Sequence, residues 1–189
     1  DVVEALRRTG VPTAADAGTR AWYSSDASLY RIPPLAVAHP REQAEVEAVL
    51  AVCRATGTPL TARGAGTSVA GNAIGPGVVV DFSRHMNRVL DLDADARTAT
   101  VQPGTVHATL QKAATAVGLR FGPDPSTHTR CTIGGMIGNN SCGSRSLAYG
   151  RTSDNVVDLD ALLADGTRFR TSTGSDALSA RLRAVMADH

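Results

Sequence analysis

Apolar positions recur along this chain at two different periods, and the switches between them mark its elements. From Arg41 to Ala55, the residues Val46, Val49, Leu50 and Cys53 fall three and four apart. That is the spacing of one helix face, and Gly57 supplies a stop. A second helix is predicted from Gly104 to Val117, with Val106, Leu110, Ala113, Ala114 and Val117 on its apolar side. Thr105 is its expected N-cap and Gly118 its stop. Asp1 to Arg8 reads as a helix end closed by Gly10, Ile133 to Asn139 as a short helix, and Ala177 to Ala187 as another. Ala17 to Arg31 is polar and turn-rich, with scattered aromatics.

Strand-like runs lie between these helices. Leu35 to Ala38 is a short apolar stretch, and Pro59 to Arg63 reads as a short strand. Val78 to Phe82 is a clearer one, with Asp81 inside it as a hydrogen-bonded structural carboxylate. Arg88 to Leu92 and Thr98 to Val101 flank the polar turn Asp93 to Arg97. Asn155 to Ala164 is predicted as a buried strand, joined through Asp165-Gly166 to a partner at Thr167 to Arg170; Thr171 to Ser175 reads as polar linker. A doubly wound fold would alternate strand and helix regularly, whereas here one helix precedes several close strands. The expected class is α+β in two small lobes. The boundaries are an N-terminal extension at 1–35, a first subdomain at 36–118, and a second at 119–189 that reads as truncated from a longer multidomain protein.

Two stretches fit neither period. Pro59 to Asn72 reads PLTARGAGTSVAGN, and Pro123 to Gly150 reads PDPSTHTRCTIGGMIGNNSCGSRSLAYG. Their glycines alternate with Ser, Thr and Asn, which brings backbone close to a polar ligand. In the first, successive N–H groups around Gly64, Gly66 and Gly71 can form an anion nest. Thr67 and Ser68 add hydroxyl donors, and Arg63 lies beside them. A phosphate or pyrophosphate suits that chemistry, and a structural turn is the plainer reading. Neither a Walker loop nor the GxGxxG fingerprint is present. In the second, Pro123, Asp124, Pro125 and Ser126 form a rigid turn. The helix after Thr132, beginning with Ile133, Gly134 and Gly135, would offer free N–H groups to an anion. Asn139, Asn140 and Ser141 add polar partners.

Composition narrows the partners. Apolar content is 42% and charged content 20%, as in a globular domain. Lys112 is the only lysine and the arginines are scattered, without the clustered charge and stacking aromatics of a nucleic-acid groove. A small anion asks for far less. No apolar run approaches the ~20 residues of a transmembrane helix. Cys53, Cys131 and Cys142 have no pairing pattern, and His39, His85, His107, His128 and His189 make no metal-site spacing. His128 lies within the second stretch and is a lesser candidate for contact with a ligand. Ser141-Cys142-Gly143 lacks the elbow and the base of a nucleophile. Arg145 and Arg151 flank Tyr149-Gly150 and either pair with an anion or face solvent.

Together these stretches resemble the flavin-binding domain of the vanillyl-alcohol oxidase and p-cresol methylhydroxylase type. Within it the chain is similar to the branch of glycolate oxidase FAD subunits and D-lactate or D-2-hydroxyacid dehydrogenases. The matching text is TARGAGTSVAGN, GVVVDFSRHMNRVLDLDADARTATVQPG, and the second stretch through DNVVDLDALLADG, in this order, over about residues 20 to 170. The resemblance implies a two-lobed α+β domain with FAD between the lobes and the cap domain absent. It implies that Arg63, Gly64, Ala65, Gly66, Thr67 and Ser68 wrap the pyrophosphate, and that Pro123, Asp124 and Ser126 line the cleft. Thr132, Gly134, Gly135, Asn139, Cys142 and Gly143 would follow the flavin and its phosphates. Tyr149 and Gly150 would close that segment, and the strand at Val156 and Val157 would approach the adenine.

Some relatives attach FAD covalently through a histidine in the first loop. Ala65-Gly66-Thr67-Ser68 has none, so FAD is expected to be non-covalent. The GNNSCG text looks like members carrying a C-terminal iron–sulfur segment, which would lie outside this chain. The implied reaction oxidises a 2-hydroxy acid, with a small carboxylate as substrate and an iron–sulfur domain or other carrier as electron acceptor. Implied too is a cytoplasmic protein, or one peripheral to the inner face of a membrane. A catalytic base is not assignable, and no metal ligands are expected within this chain. A related alcohol or sugar oxidase or reductase, and a non-catalytic nucleotide-binding module, are the alternatives.

Overall fold

In a computed structural model of the protein, residues 1–172 are described. The chain forms two compact units, Asp1–Asn155 and one beginning at Val156.

The first unit opens with α1 (Val2–Arg8), whose first turn is capped by the Asp1 carboxylate, followed by β1 (Thr13–Ala14). Next comes α2 (Ala17–Trp22). The sequence pattern does not predict α2, because only local capping marks it: Asp16 accepts the amide of Thr19 at 2.9 Å. Strand β2 (Ala36–Ala38) and helix α3 (Gln43–Thr56) follow, and α3 ends where predicted. Gly57 takes φ +63 there, a conformation that is strained for any residue with a Cβ. Then come β3 (Leu60–Arg63) and β4 (Val78–Asp81).

These strands form one mixed sheet in the order β1-β2-β4-β3. Strand β4 runs parallel to both of its neighbours, and β1 is antiparallel to β2. Central β4 is buried on both faces, which explains its unbroken valine run. Its Val78 and Val80 pack with Leu6, Val11, Ala36, Ala38, Val49 and Cys53 into one core. A parallel pair needs a crossover connection. Between β2 and β3 the crossover is α3. Between β3 and β4 it is the first glycine-rich stretch, which therefore emerges from the carboxyl end of β3.

An antiparallel hairpin of β5 (Val89–Asp93) and β6 (Thr98–Val101) leads into α4 (His107–Ala116). This helix starts later than expected. Val106 is the N-cap and has no polar side chain to bond with, while the amides of His107 and Ala108 donate to the carbonyls of Cys131 and His128 and leave Thr105 no first-turn amide to cap; its hydroxyl donates instead to the Arg88 carbonyl at 2.9 Å and ties the helix start to the hairpin. Helix α5 (Ile133–Gly138) packs Ile133 and Met136 with Leu110 and Cys131, against Val89, Val101 and Phe121, making a second core. A short α6 (Ser146–Tyr149) and a 3-10 turn, Thr152–Asn155, complete the unit.

In the second unit β7 (Asp160–Leu162) pairs antiparallel with β8 (Arg168–Arg170), the predicted hairpin. The buried ten-residue strand does not form. Val157 is 80% exposed, and Asp158 accepts bonds from Ser172 N, Thr171 Oγ1 and Arg170 Nε instead of continuing a ladder. These bonds hold its carboxyl well below the usual carboxylate range. The helix expected at Ala177 to Ala187 lies outside the described residues.

Candidate functional site

Strand β3 delivers Arg63 to the mouth of the first loop. Beyond it, none of the backbone amides from Gly64 through Val69 donates to an acceptor among the described residues. The first bonded amides are those of Ala70 and Asn72, which reach the Ser68 hydroxyl at 3.3 and 3.4 Å. Amides left unpaired in series are the donor set that an anion nest requires. The Thr67 hydroxyl is without a hydrogen-bond partner among the described residues as well.

Arg63 itself is turned to a different task. Its Nη1 donates to the carbonyls of Ser25 and Ala73, both at 3.0 Å, and its guanidinium lies 5.0 Å from the Tyr23 ring centroid. Gly66, at φ +67, lies against that guanidinium, and a Cβ there would overlap it. Tyr23 donates its hydroxyl to Asp81 Oδ2 at 2.6 Å, while Ser83 N and Oγ bond Asp81 Oδ1 at 2.7 Å. Asp81 is therefore the bonded structural carboxylate expected from its place in an apolar strand. Burial, with the bond to Asp81, raises the Tyr23 phenol well above its ordinary range. His39 Nδ1 is buried without a hydrogen-bond partner, 3.8 Å from Asp81 Oδ2, and burial lowers its pKa.

The second stretch is organised otherwise. Helix α5 does not present free donors at its start. The amide of Ile133 bonds the Thr105 carbonyl, that of Gly134 bonds Pro103 at 2.8 Å, and that of Gly135 bonds the Thr132 hydroxyl at 3.3 Å. The close approach of Pro103 is why a side chain at Gly134 would collide. Unpaired amides occur further along, from Cys142 through Arg145. Gly143 packs directly on the Asp124 carbonyl. The Asp124 carboxylate lies 3.3 Å from Arg145 Nε and 3.6 Å from Arg120. Ser126 and Cys142 are exposed, Tyr149 is exposed with its Cβ against Gly122, and Gly150 takes φ +73 beside the Asp154 carboxylate.

The fold brings the two stretches together at two points. Gly64 lies so close to the buried Thr132 side chain that a Cβ would overlap its Oγ1. Asn72 Nδ2 donates to Asn139 Oδ1 at 3.3 Å. Val157 belongs to the second unit. Sequence reasoning missed the supports: Tyr23, Ser25, Ala73, Pro103 and His107. Buried His107 bonds the Pro123 carbonyl through Nε2 at 2.8 Å, and burial lowers its pKa. Its ring lies 6.1 Å from that of His128, which is itself exposed. A cavity of about 590 Å³ lined by Trp22, Tyr23, His39, Arg84 and His85 includes none of the predicted cofactor residues. No helix among the described residues is long and apolar enough to cross a membrane.

Residues 34–172 match the FAD binding domain family, and the chain belongs to it. It is an α+β FAD-binding domain of the p-cresol methylhydroxylase type, related to D-2-hydroxyglutarate dehydrogenase and glycolate oxidase subunits. It is 37% identical over 182 residues to D-2-hydroxyglutarate dehydrogenase of Pseudomonas putida, across 94% of this chain and 18% of the relative. It is 39% identical over 175 residues to glycolate oxidase subunit GlcD of Bacillus subtilis, across 90% of this chain and 37% of the relative. The chain thus spans well under half the length of these curated relatives. An alkyldihydroxyacetonephosphate synthase shares the fold, with TM-score 0.79 and 23% identity over 93% of this chain and 34% of that one. A Physcomitrella patens BBE-like 1 protein does too, at TM-score 0.79 and 20% identity over 93% and 38%.

Proposed function

We propose that the chain binds FAD non-covalently as the flavin domain of an oxidoreductase acting on a 2-hydroxy acid. The carrying observation is the juxtaposition of the two glycine-rich stretches, at Gly64–Thr132 and Asn72–Asn139, beside the unpaired amides Gly64 to Val69. A dianionic pyrophosphate fits a row of donors with no competing acceptor. The second row, Cys142 to Arg145, and the Pro123–Asp124 turn would hold the remainder of the cofactor. The absence of histidine from the first loop supports non-covalent binding.

FAD, when bound, would supply a two-electron acceptor for oxidation of a 2-hydroxy acid to the 2-oxo acid. This chain's residues bind and orient the cofactor. The base that takes the hydroxyl proton, and the groups that clamp the carboxylate, belong to the whole protein. Kinship with 2-hydroxyacid dehydrogenases and oxidases supports the substrate class. We place the electron acceptor in an iron–sulfur segment or separate carrier and the protein in the cytoplasm or peripherally at the membrane. The lobe division at 118/119 is part of the same proposal.

The test is purification of the full chain with FAD supplied. Flavin absorbance at about 370 and 450 nm that co-elutes with protein is the expected result. Folded protein that takes up no FAD overturns the proposal. In the full-length protein, bleaching of the 450 nm band by D-2-hydroxy acids tests the substrate class.

A further inference from the structure

We infer that Tyr23, Asp81 and the segment from Ser25 to Tyr30 form a positioning brace that sets the first glycine loop for pyrophosphate before any ligand arrives. The inference rests on the FAD reading above and adds residues that lie outside both glycine-rich stretches.

An unliganded row of amides tends to fold back onto nearby carbonyls. Here the competing carbonyls and the loop ends are already engaged. The Gly66 carbonyl accepts from Ala27 N at 3.0 Å. The Ala73 carbonyl accepts from Arg63, and Ala73 N donates to Asp26 Oδ2 at 3.3 Å. The Ser25 carbonyl takes the other bond of Arg63 Nη1. Gly71, at φ +79, packs on the Tyr30 ring. The loop is therefore held at its start, middle and end by one segment some forty residues upstream.

Tyr23 anchors that segment to the sheet. Its ring lies beneath the Arg63 guanidinium and its hydroxyl reaches Asp81 at the end of central β4. Asp81 lies opposite Arg63 in the β3–β4 register, so anchor and loop share one rigid reference. Arg63 on this account is a positioning residue that bridges two carbonyls. Presetting the donors lowers the ordering cost of binding.

The experiment compares the full chain with Tyr23→Phe and Arg63→Met. FAD and riboflavin affinities are read by flavin fluorescence, and amide exchange at Ala27 and Ala73 is followed without ligand. Tyr23→Phe keeps the ring and fold, so it remains informative if Arg63→Met is unstable. Expected are roughly fivefold weaker FAD binding for Tyr23→Phe and tenfold or more for Arg63→Met. Riboflavin, which lacks the pyrophosphate, should bind both variants as it binds the parent. Exchange at Ala27 and Ala73 should quicken in both.

Unchanged FAD affinity in Tyr23→Phe overturns the brace, as does equal loss of riboflavin and FAD. Unchanged amide exchange overturns it independently of any cofactor. A parent chain that binds no FAD overturns the functional reading and this inference together.

Discussion

In the first glycine-rich stretch the amides from Gly64 through Val69 face no acceptor among the described residues, while in the second those of Ile133, Gly134 and Gly135 are bound to Thr105, Pro103 and Thr132. The two stretches have similar composition, yet glycine serves different ends in them. In the first it lines a loop whose flanks are bonded by Arg63 and Asp26. In the second it lets a short helix and a turn pack backbone against backbone, leaving donors only after the helix has ended. Donors in a glycine-rich stretch are available to an anion only where they remain unpaired, and composition does not reveal which ones do.

The strongest challenge to this contrast is Gly143→Ala. The new Cβ would overlap the Asp124 carbonyl, and backbone cannot move aside as a side chain can. A loss of about 3 kcal/mol of stability is expected by denaturant unfolding, together with loss of FAD.

Gly64→Ala is the counterpart in the first stretch and should cost less, about 2 kcal/mol, because its obstacle is the Thr132 side chain. Adding Thr132→Ala should recover part of that loss, even though the cap on α5 is worth about 1 kcal/mol. A double-mutant cycle that shows simple additivity would break the claim that the stretches meet at this point.

Next in size is a pH effect. Burial holds His39, beside the first loop's brace, and His107, beneath the Pro123 turn, below their ordinary value of 6.5. Unfolding raises both pKa values, so the unfolded chain binds more protons. The stability contributed is whole above about pH 6.5 and is lost as pH falls below it. Thermal melts from about pH 7.5 down to 5 should show falling Tm. His107→Gln should flatten part of that slope, and a Tm that rises on acidification would refute the assignment.

The smallest effect expected is that of Asn72→Ala. Its bond to Asn139 is 3.3 Å long and exposed, so stability should change by no more than about 0.5 kcal/mol. A larger loss would mean that this contact, rather than Gly64 and Thr132, joins the two stretches.

Much of the architecture was legible because it rests on local signals. The period of Val46, Val49 and Cys53 with Gly57 marks α3, and the unbroken valines of β4 mark a strand covered on both faces. The failures are equally physical. Thr105 has the chemistry of a helix cap, but the carbonyls of Cys131 and His128 take the first-turn amides it would have capped. Residues 155–164 have the composition of a buried strand, but only Asp160–Leu162 finds a strand partner among the described residues, and Asp158 spends its carboxylate on Arg170, Thr171 and Ser172 instead. Helix α2 carries a cap and too little apolar periodicity to be seen.

By itself the sequence determined the α+β class, the helix and strand positions set by nearest neighbours, and the two glycine-rich stretches that mark the chain as an FAD-binding domain. Those properties depend on residues a few positions apart. Only the tertiary structure decided which amides stay free, that Arg63 bridges carbonyls of Ser25 and Ala73, and that Tyr23 reaches Asp81. Each of these is a competition for one hydrogen bond between groups distant in sequence, and its outcome is set by where the sheet places them.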